Sequence, residues 1–232
     1  MHDDEQSPTA DGSTDSADEL AHLYTQEAWD ARYDESGQSG GIWSGEPNQR
    51  LVEQVADLEP GDALEIGAGE GADAVWLAQR GWRVTALDVS VIALGRAVQH
   101  AAEAGVGDRV SPLHLDLMTF GGSLPGGYDL VSASYMHVPR PKFAEFWNRV
   151  GASAQPGGGR LLVVGHHPDD IATGVRRPHG PDLLFTHDDV VSALDPDAWT
   201  IRHADSPTRE IDRDGERVTV RDAVVLAERK RI

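Results

Sequence analysis

Residues 63–78, ALEIGAGEGADAVWLA, run from a short apolar stretch through an acid and three alternate glycines into a helical pattern. That order predicts a strand, a tight ligand-binding turn and a helix. Gly67, Gly69 and Gly71 permit positive φ values and let a ligand approach where a Cβ would intrude. Their GxGxG spacing differs from the GxGxxG of dinucleotide sites, and Glu65 and Glu70 make the turn acidic. Two like charges about 4 Å apart repel by about 4 kcal/mol at an effective dielectric constant of about 20. The turn therefore favours a nucleoside with cationic groups over a pyrophosphate.

The surrounding sequence alternates predicted strands and helices. Strands are predicted at residues 62–66, 83–87, 110–115, 128–134 and 160–164, and helices at 51–58, 72–79, 91–104 and 141–154. Such alternation is typical of parallel βαβ units. Two more extended runs, 199–204 and 218–229, surround a turn signal at 212–215 and leave few residues for a crossover helix. We therefore predict an α/β fold with a single Rossmann-like, doubly wound sheet, mostly parallel, with an antiparallel C-terminal strand.

Composition limits the classes of partner. The chain has 232 residues, no cysteine and a formal net charge of -19 at pH 7. The length fits one domain. The charge argues against nucleic acid and anionic membranes, because both attract basic surfaces. The lack of cysteine excludes disulfides and thiolate ligands, and we predict no metal site. No apolar run approaches the roughly 18 residues of a membrane span and no signal peptide pattern is present, so we expect a cytoplasmic location.

Segments of the chain have different expected roles. Residues 1–20 are expected to form a disordered acidic tail, because they contain little apolar surface. Residues 21–232 are expected to form the domain, with a helical cap and loop at 21–60, a cofactor-binding core at 61–167, a substrate loop region at 168–198 and a C-terminal hairpin at 199–232. In the substrate loop region, Arg176 and Arg177 could bind an anionic acceptor or pair with the acidic surface.

Acids follow the second and third predicted strands. Asp88, followed by Val89, stands 21 residues after Gly67. It could accept hydrogen bonds from both hydroxyls of a ribose, or cap the next helix. Asp116, followed by Leu117, could accept a hydrogen bond from the exocyclic amine of an adenine while the adenine ring packs on the leucine. The alternative is an ordinary solvated loop.

Further candidates follow the fourth and fifth strands. Ligands in open α/β sheets bind beyond the carboxyl ends of the strands, which places Ser134, Tyr135, His137 and His166 at the expected reaction site. The two histidines are candidate bases, with a structural role as the alternative. The His-His-x-Asp run at 166–169 is not a metal-binding pattern. Trp43, in a glycine-rich loop, needs a burial partner, which is either the ligand or the domain itself.

Taken together, these residues resemble a known family. Four motifs carry the resemblance to class I S-adenosylmethionine-dependent methyltransferases: Glu65-Ile-Gly67-Ala-Gly69-Glu-Gly71, Asp88, Asp116-Leu117 and Tyr128-Asp-Leu-Val131. They cover roughly residues 63–138, and the antiparallel final strand agrees with them. The segments WSGEPN at 43–48 and DLLFT at 182–186 are similar to a bacterial small-molecule subgroup that includes tellurite-resistance and thiopurine-type enzymes.

The resemblance implies S-adenosylmethionine as cofactor, S-adenosylhomocysteine as product and transfer of the methyl group to a small molecule. It also implies roles by position: Gly67, Gly69 and Gly71 at the methionine portion, Glu65 at its ammonium, Ala133 and Ser134 through their backbone at the amine, Asp88 and Val89 at the ribose, Asp116 and Leu117 at the adenine, Trp43 as a cover, and Tyr135, His137 and His166 at the acceptor. The expected assembly is a monomer or homodimer.

Other functions stay open at this point. A nicotinamide-dependent oxidoreductase shares the βαβ pattern, although the acidic GxGxG turn disfavours its pyrophosphate. A non-catalytic binding module would keep the turn but close the acceptor pocket. A polyamine synthase would use a decarboxylated cofactor on the same fold.

Overall fold

The computed structural model describes residues 24–36, 44–175, 183–213 and 215–231. The predicted acidic tail at 1–20, the covering Trp43 and the arginines Arg176 and Arg177 lie outside the described residues.

Six α-helices and eight strands occur within these ranges. The helices are α1 Gln26–Ser36, α2 Gln49–Val55, α3 Ala72–Gln79, α4 Val91–Glu103, α5 Phe143–Gly151 and α6 His187–Ala193. The strands are β1 Asp62–Ile66, β2 Arg83–Asp88, β3 Val110–His114, β4 Leu130–Ser134, β5 Arg160–His166, β6 Trp199–Asp205, β7 Thr208–Arg213 and β8 Glu216–Arg229. Among the described helices, none has the length and apolar character needed to cross a membrane.

The strands form one sheet in the order β3-β2-β1-β4-β5-β8-β6, with β7 paired to β8 off this path. Strands β1 to β5 are parallel to their neighbours, and β8 pairs antiparallel with β5. The predicted fold class is therefore confirmed. Because β2 and β4 lie on opposite sides of β1, the chain reverses its direction of winding there, which is where open α/β sheets bind ligands.

Hydrophobic side chains cover both faces of the sheet. Leu64 and Ile66 of β1 pack with Trp147 of α5 and with Phe185 on one face. Ala63 packs on the other face with side chains of α2, α3 and α4. Because strand side chains alternate between faces, Glu65 shares the face of Ala63. This placement carries a carboxylate to the carboxyl end of β1.

The C-terminal segment differs from the predicted two-stranded hairpin, because it contains three strands. The strand across the turn from β8 is β7, not β6: Arg213 pairs with Glu216, and Thr208 pairs with Arg221. β6 pairs with the other half of β8. The sequence TREIDR of β7 is mostly charged and exposed, so it lacks the apolar alternation by which strands are recognised.

The expected substrate loop region at 168–198 contains a 3₁₀ turn at Pro168–Thr173 and helix α6. A local signal for α6 exists. The Thr186 hydroxyl accepts a hydrogen bond from the Asp189 backbone N–H, and the Asp189 carboxylate accepts one from the Thr186 backbone N–H. This reciprocal arrangement is a capping box. The sequence interpretation missed it because the motif carries Asp instead of Glu or Gln.

Candidate active site

A cleft of about 1450 Å³ lies along the carboxyl ends of the parallel strands. The glycine turn after β1, Asp88 at the end of β2, Ser134 at the end of β4 and His166 at the end of β5 all line it. The fold thus brings residues that are far apart in sequence to one edge of the sheet.

The glycine turn has the backbone geometry that its sequence predicts. The φ values are 66° at Gly67, 54° at Gly69 and 85° at Gly71. A Cβ on Gly71 would lie 2.7 Å from the Cβ of Ala97 in α4, whereas one on Gly67 would meet only the Met136 sulfur at 3.6 Å. Gly71 therefore allows close packing of helices, and Gly67 keeps the cleft open.

Two carboxylates, one buried and one partly buried, lie beside this turn. Glu65 is 1% exposed and accepts a hydrogen bond from the Ser132 hydroxyl. Asp73, in the first turn of α3, accepts hydrogen bonds from the Asn48 backbone N–H at 2.6 Å and from the Ser134 hydroxyl at 3.0 Å. Both face the cleft.

Burial raises the pKa of the Asp73 carboxyl above its ordinary value, against the opposing effect of its hydrogen bonds. Burial also raises the pKa of Glu65 well above its ordinary value, and the negative charge of Asp73 adds to this shift. A cation bound between the two carboxylates would stabilise their ionised forms. The pair is therefore suited to an ammonium or sulfonium group.

The Asp88 carboxylate holds the glycine turn in place. It accepts hydrogen bonds from the backbone N–H groups of Gly69 and Ser90, each at 2.8 Å. Ser90, not Asp88, caps α4, because its hydroxyl accepts from the Ala93 N–H. Burial raises the pKa of Asp88. A carboxylate oxygen has two lone pairs, so both oxygens can still accept a hydrogen bond from a ligand.

Asp116 forms a local turn at the adjacent edge of the cleft. Its carboxylate accepts hydrogen bonds from the Met118 N–H and the Thr119 hydroxyl, each at 2.8 Å. Leu117 beside it is 4% exposed and lines the cleft. These contacts are compatible with the loop interpretation as well as with an adenine contact.

The sequence predicts that Glu70 adds negative charge to the turn, but in the structure an arginine neutralises this charge. Glu70 pairs with Arg96 of α4 at 2.7 Å. Arg96 also donates to the backbone oxygen of Tyr33 at 2.6 Å. The acidity that faces the cleft therefore comes from Glu65 and Asp73 instead of Glu70.

Three aromatic side chains stack at the other end of the cleft. The Tyr135 ring lies 4.2 Å from the His166 ring, and the His166 ring lies 5.4 Å from that of His137, measured between centroids. All three line the cleft. Tyr135 has a φ of 56° and is the non-glycine residue with positive φ among the residues described. Such a backbone conformation costs about 1–3 kcal/mol and occurs frequently at functional sites.

A buried ion network lies next to this stack. The Asp222 side chain is fully buried and pairs with Arg50 at 3.1 Å and with Arg209 at 3.2 Å. The Tyr135 hydroxyl donates to Asp222 at 3.1 Å. The network joins α2, β7 and β8 to the turn after β4, and Arg50, Arg209 and Asp222 all line the cleft.

Helix α1 covers part of the cofactor side of the cleft. Asp30 accepts hydrogen bonds from the Ser90 hydroxyl at 2.5 Å and the Ile92 N–H at 3.3 Å. Trp29 and Tyr33 of the same helix line the cleft. The N-terminus of α4 thus fixes the covering helix in place.

Comparisons with known proteins agree with this geometry. Residues 63–158 match the family of sequences described as a methyltransferase domain. These residues contain the glycine turn, both cleft carboxylates, Asp88 and the stacked Tyr135. Residues 63–158 are a methyltransferase domain.

One similar curated protein is the ribosomal RNA small subunit methyltransferase C of Alcanivorax borkumensis. It is 31% identical over 46% of this chain and 33% of its own length. The chain thus spans about a third of the length of this relative.

Two solved structures share the fold of the methyltransferase domain and the flanking segments. One was described for the conversion of a disulfide bond into a thioacetal group during echinomycin biosynthesis, with a TM-score of 0.69, 22% identity, and coverage of 88% of this chain and 92% of that one. The other is TehB from Haemophilus influenzae, with a TM-score of 0.64, 17% identity, and coverage of 87% of this chain and 67% of that one.

Most of the predicted site residues of the methyltransferase domain line one cleft. They are Glu65, Gly67, Gly69, Gly71, Asp88, Val89, Asp116, Leu117, Ser134, Tyr135 and His137, joined by His166 from β5. Ala133 does not line the cleft, because strand alternation turns its side chain into the hydrophobic core.

S-adenosylmethionine is the cofactor of this family of domains, and the residues fit it. The carboxylates of Glu65 and Asp73 suit its cationic groups, and the open face of Gly67 leaves room for close approach. The sequence interpretation missed Asp73, although an acid in the first turn after the glycines was a usable signal. It also missed Arg50, Arg209 and Asp222. Among the described residues, no cluster of three or more His, Asp or Glu side chains could hold a metal ion.

Proposed function

We propose that the protein transfers the methyl group of S-adenosylmethionine to a small-molecule acceptor by in-line displacement. The main observation in support is the division of one cleft between two chemical environments. Buried carboxylates and the glycine turn occupy one end, and stacked histidine and tyrosine rings occupy the other.

In this proposal the cofactor end holds a cation. S-adenosylmethionine supplies an electrophilic methyl group on a sulfonium. Glu65 and Asp73 orient the ammonium, Asp88 accepts from the ribose hydroxyls, and Leu117 packs on the adenine with Asp116 at its exocyclic amine. Holding two reactants in a reactive geometry lowers the barrier by about 7–11 kcal/mol, so positioning is the main task of these residues.

At the acceptor end, His166 or His137 removes the proton of a hydroxyl or phenol acceptor. The acceptor oxygen then forms the bond to the methyl carbon, while the carbon–sulfur bond breaks and its electron pair stays on sulfur. Tyr135 does not serve as the base, because burial raises the pKa of its phenol to about 12 and keeps it protonated. It positions His166 through ring stacking and Asp222 through its hydroxyl.

A ribosomal RNA acceptor is the competing proposal, since a curated relative carries that activity in its name. Binding of RNA depends on neutralising phosphates with basic side chains. A chain with a formal net charge of -19 is poorly suited to this.

Calorimetric titration of the purified protein with S-adenosylmethionine, S-adenosylhomocysteine and NAD tests the proposal. We expect micromolar binding of the first two and none of NAD. Asp88→Ala should abolish this binding, whereas Asp108→Ala, at an exposed position outside the cleft, should leave it unchanged. Binding of NAD alone, or of none of the three, would contradict the proposal.

A second measurement separates an enzyme from a non-catalytic binding module. The protein is incubated with S-adenosylmethionine labelled on the methyl group, together with panels of small phenols, thiols and acids and with total RNA. We expect label in a small-molecule product. Tight cofactor binding without transfer to any of them would favour the binding module, and label in RNA would favour the competing acceptor.

A further inference from the structure

Charge divides the two ends of the cleft more sharply than the family assignment requires. Carboxylates of Glu65, Asp73 and Asp88 line the cofactor end, whereas the acceptor end contains the guanidinium groups of Arg50 and Arg209. These two arginines and their shared partner Asp222 lie in a chain with 39 acidic and 20 basic residues. The acidic composition of the chain therefore does not explain why two arginines lie at this end of the cleft.

The two arginines have different surroundings. Arg50 is buried, with 6% of its side chain exposed, and its guanidinium bonds Asp222, Glu53 and the Thr208 carbonyl oxygen. Every nitrogen of that guanidinium therefore has a partner within the protein. The Arg50 guanidinium is shared between the carboxylates of Asp222 and Glu53, and the Tyr135 hydroxyl also donates a hydrogen bond to Asp222.

Arg209 is the second cation on the same carboxylate. Its Nε donates to Asp222, and its Nη2 lies 3.4 Å from the Tyr135 hydroxyl. Its Nη1 has no hydrogen-bond partner within the described part of the chain. The side chain is 27% exposed and lines the cleft. The charges of Arg50 and Arg209 are balanced by those of Asp222 and Glu53, and of these two acids only Asp222 lines the cleft.

We infer that the methyl acceptor is a small organic acid whose carboxylate binds the guanidinium of Arg209. This inference rests on the proposed function and specifies the substrate class of the same site. A guanidinium with a free donor edge in a partly desolvated cleft binds carboxylates with charge-assisted hydrogen bonds. Asp222 orients the guanidinium by holding its Nε, which leaves the outer nitrogen for the ligand.

The position of Arg209 also determines where the rest of the acceptor lies. Tyr135 contacts both Arg209 and the ring of His166. A carboxylate on Arg209 therefore brings the body of the acceptor against the aromatic stack that contains His166 and His137. The negative charge of the acceptor also attracts the positive cofactor across the cleft, while a cationic acceptor is repelled by both.

Binding to the product complex tests this inference without requiring the natural acceptor. Protein saturated with S-adenosylhomocysteine is titrated with 4-hydroxybenzoate, salicylate and indole-3-acetate, and with their primary amides, and binding is followed by ligand-observed NMR. We expect at least one acid to bind about tenfold or more tightly than its amide. Arg209→Met should remove this preference, and Arg209→Lys should retain part of it.

Arg202→Met is the matched control. Arg202 also pairs with an acid of β8, Glu228, but it lies outside the cleft, so this variant should keep the preference for acids. Equal binding of acids and amides, no binding of any probe, or a preference that survives Arg209→Met would overturn the inference. Binding of S-adenosylhomocysteine is measured first on each variant. Its failure in the unaltered protein would contradict the proposed function instead, and its retention in Arg209→Met shows that this variant is folded.

Discussion

The Tyr135 hydroxyl donates a hydrogen bond to the Oδ1 atom of Asp222 at 3.1 Å, across 87 residues of sequence. Asp222 is fully buried and also bonds Arg50 and Arg209. The phenol proton is thus held on the acceptor side of the cleft. Burial raises the pKa of Tyr135 to about 12, and the negative charge of Asp222 acts in the same direction.

The Tyr135→Phe variant tests whether this phenol acts as a base. The ring keeps its stack on His166 and only the hydroxyl is lost. We expect the shape of the pH–rate profile across neutral pH to be unchanged, and the free energy of unfolding to fall by about 1 kcal/mol for the lost hydrogen bond. A loss of about a hundredfold or more in kcat would identify Tyr135 as the base.

Asp222→Asn is expected to destabilise the fold strongly. The substitution removes the fully buried carboxylate that pairs with both Arg50 and Arg209, and it leaves Arg50 only Glu53 as an acidic partner. Removal of one partner of a buried ion pair costs about 3–5 kcal/mol, which unfolding in urea measures. Glu228→Gln in the same strand is the control. Its partners Arg202 and Arg160 are both partly exposed, so the expected loss is at most about 1 kcal/mol. Equal losses in the two variants would show that the network is energetically unimportant.

Gly71→Ala and Gly67→Ala separate packing from access to the cleft. Both carry left-handed strain, which costs about 1–2 kcal/mol in a non-glycine residue. Only Gly71→Ala adds a Cβ contact of 2.7 Å with Ala97, so it should lose more stability in urea unfolding. Gly67→Ala should instead show the larger loss of S-adenosylhomocysteine affinity relative to its loss of stability. The reverse ranking in both measurements would contradict this assignment.

Glu65→Gln is expected to change how stability depends on pH. The pKa of Glu65 is higher in the folded protein than in the unfolded chain, so the folded state binds the proton more tightly. This contribution to stability is present in acid and is lost as pH rises from the unfolded pKa of about 4.3 towards the folded one. The variant should therefore gain stability relative to the unaltered protein as pH rises, when Tm is measured without ligand. A constant difference in Tm across that range would contradict the raised pKa.

Asp73→Asn should weaken cofactor binding and remove part of its pH dependence. A bound ammonium lowers the raised pKa of Asp73, so binding releases protons and affinity rises with pH. Calorimetry in two buffers of different ionisation enthalpy measures this release. We expect about a tenfold or greater loss of S-adenosylmethionine affinity and a smaller release of protons. Proton release equal to that of the unaltered protein would exclude Asp73 as the responsible group.

The sequence predicted the parts of the site that are local in the chain. The glycine turn, Asp88 and the parallel arrangement of β1 to β5 follow from spacing and alternation within about 30 residues. The stacking of Tyr135 on His166 could be expected only as a shared edge of the sheet. Its geometry depends on the left-handed backbone conformation of Tyr135, which no pattern in the sequence predicts.

The acceptor side was not predictable for a physical reason. Arg50 and Asp222 are 172 residues apart, and their pairing depends on how helix α2 packs on the sheet beside β8. No local pattern marks either residue. Arg209 lies in β7, whose charged sequence lacks the apolar alternation that predicts a strand.

The pairing of strand β8 indicates which segment of the chain could be changed to alter the acceptor. This strand pairs with β5 and β6 through one half and with β7 through the other. The family match ends at residue 158, ahead of Arg209 and Asp222. In the proposed arrangement, substitutions in the β7–β8 hairpin change which compound is alkylated while the inherited cofactor machinery stays intact. The hairpin is therefore the segment to exchange when the chain is re-engineered for a new acceptor.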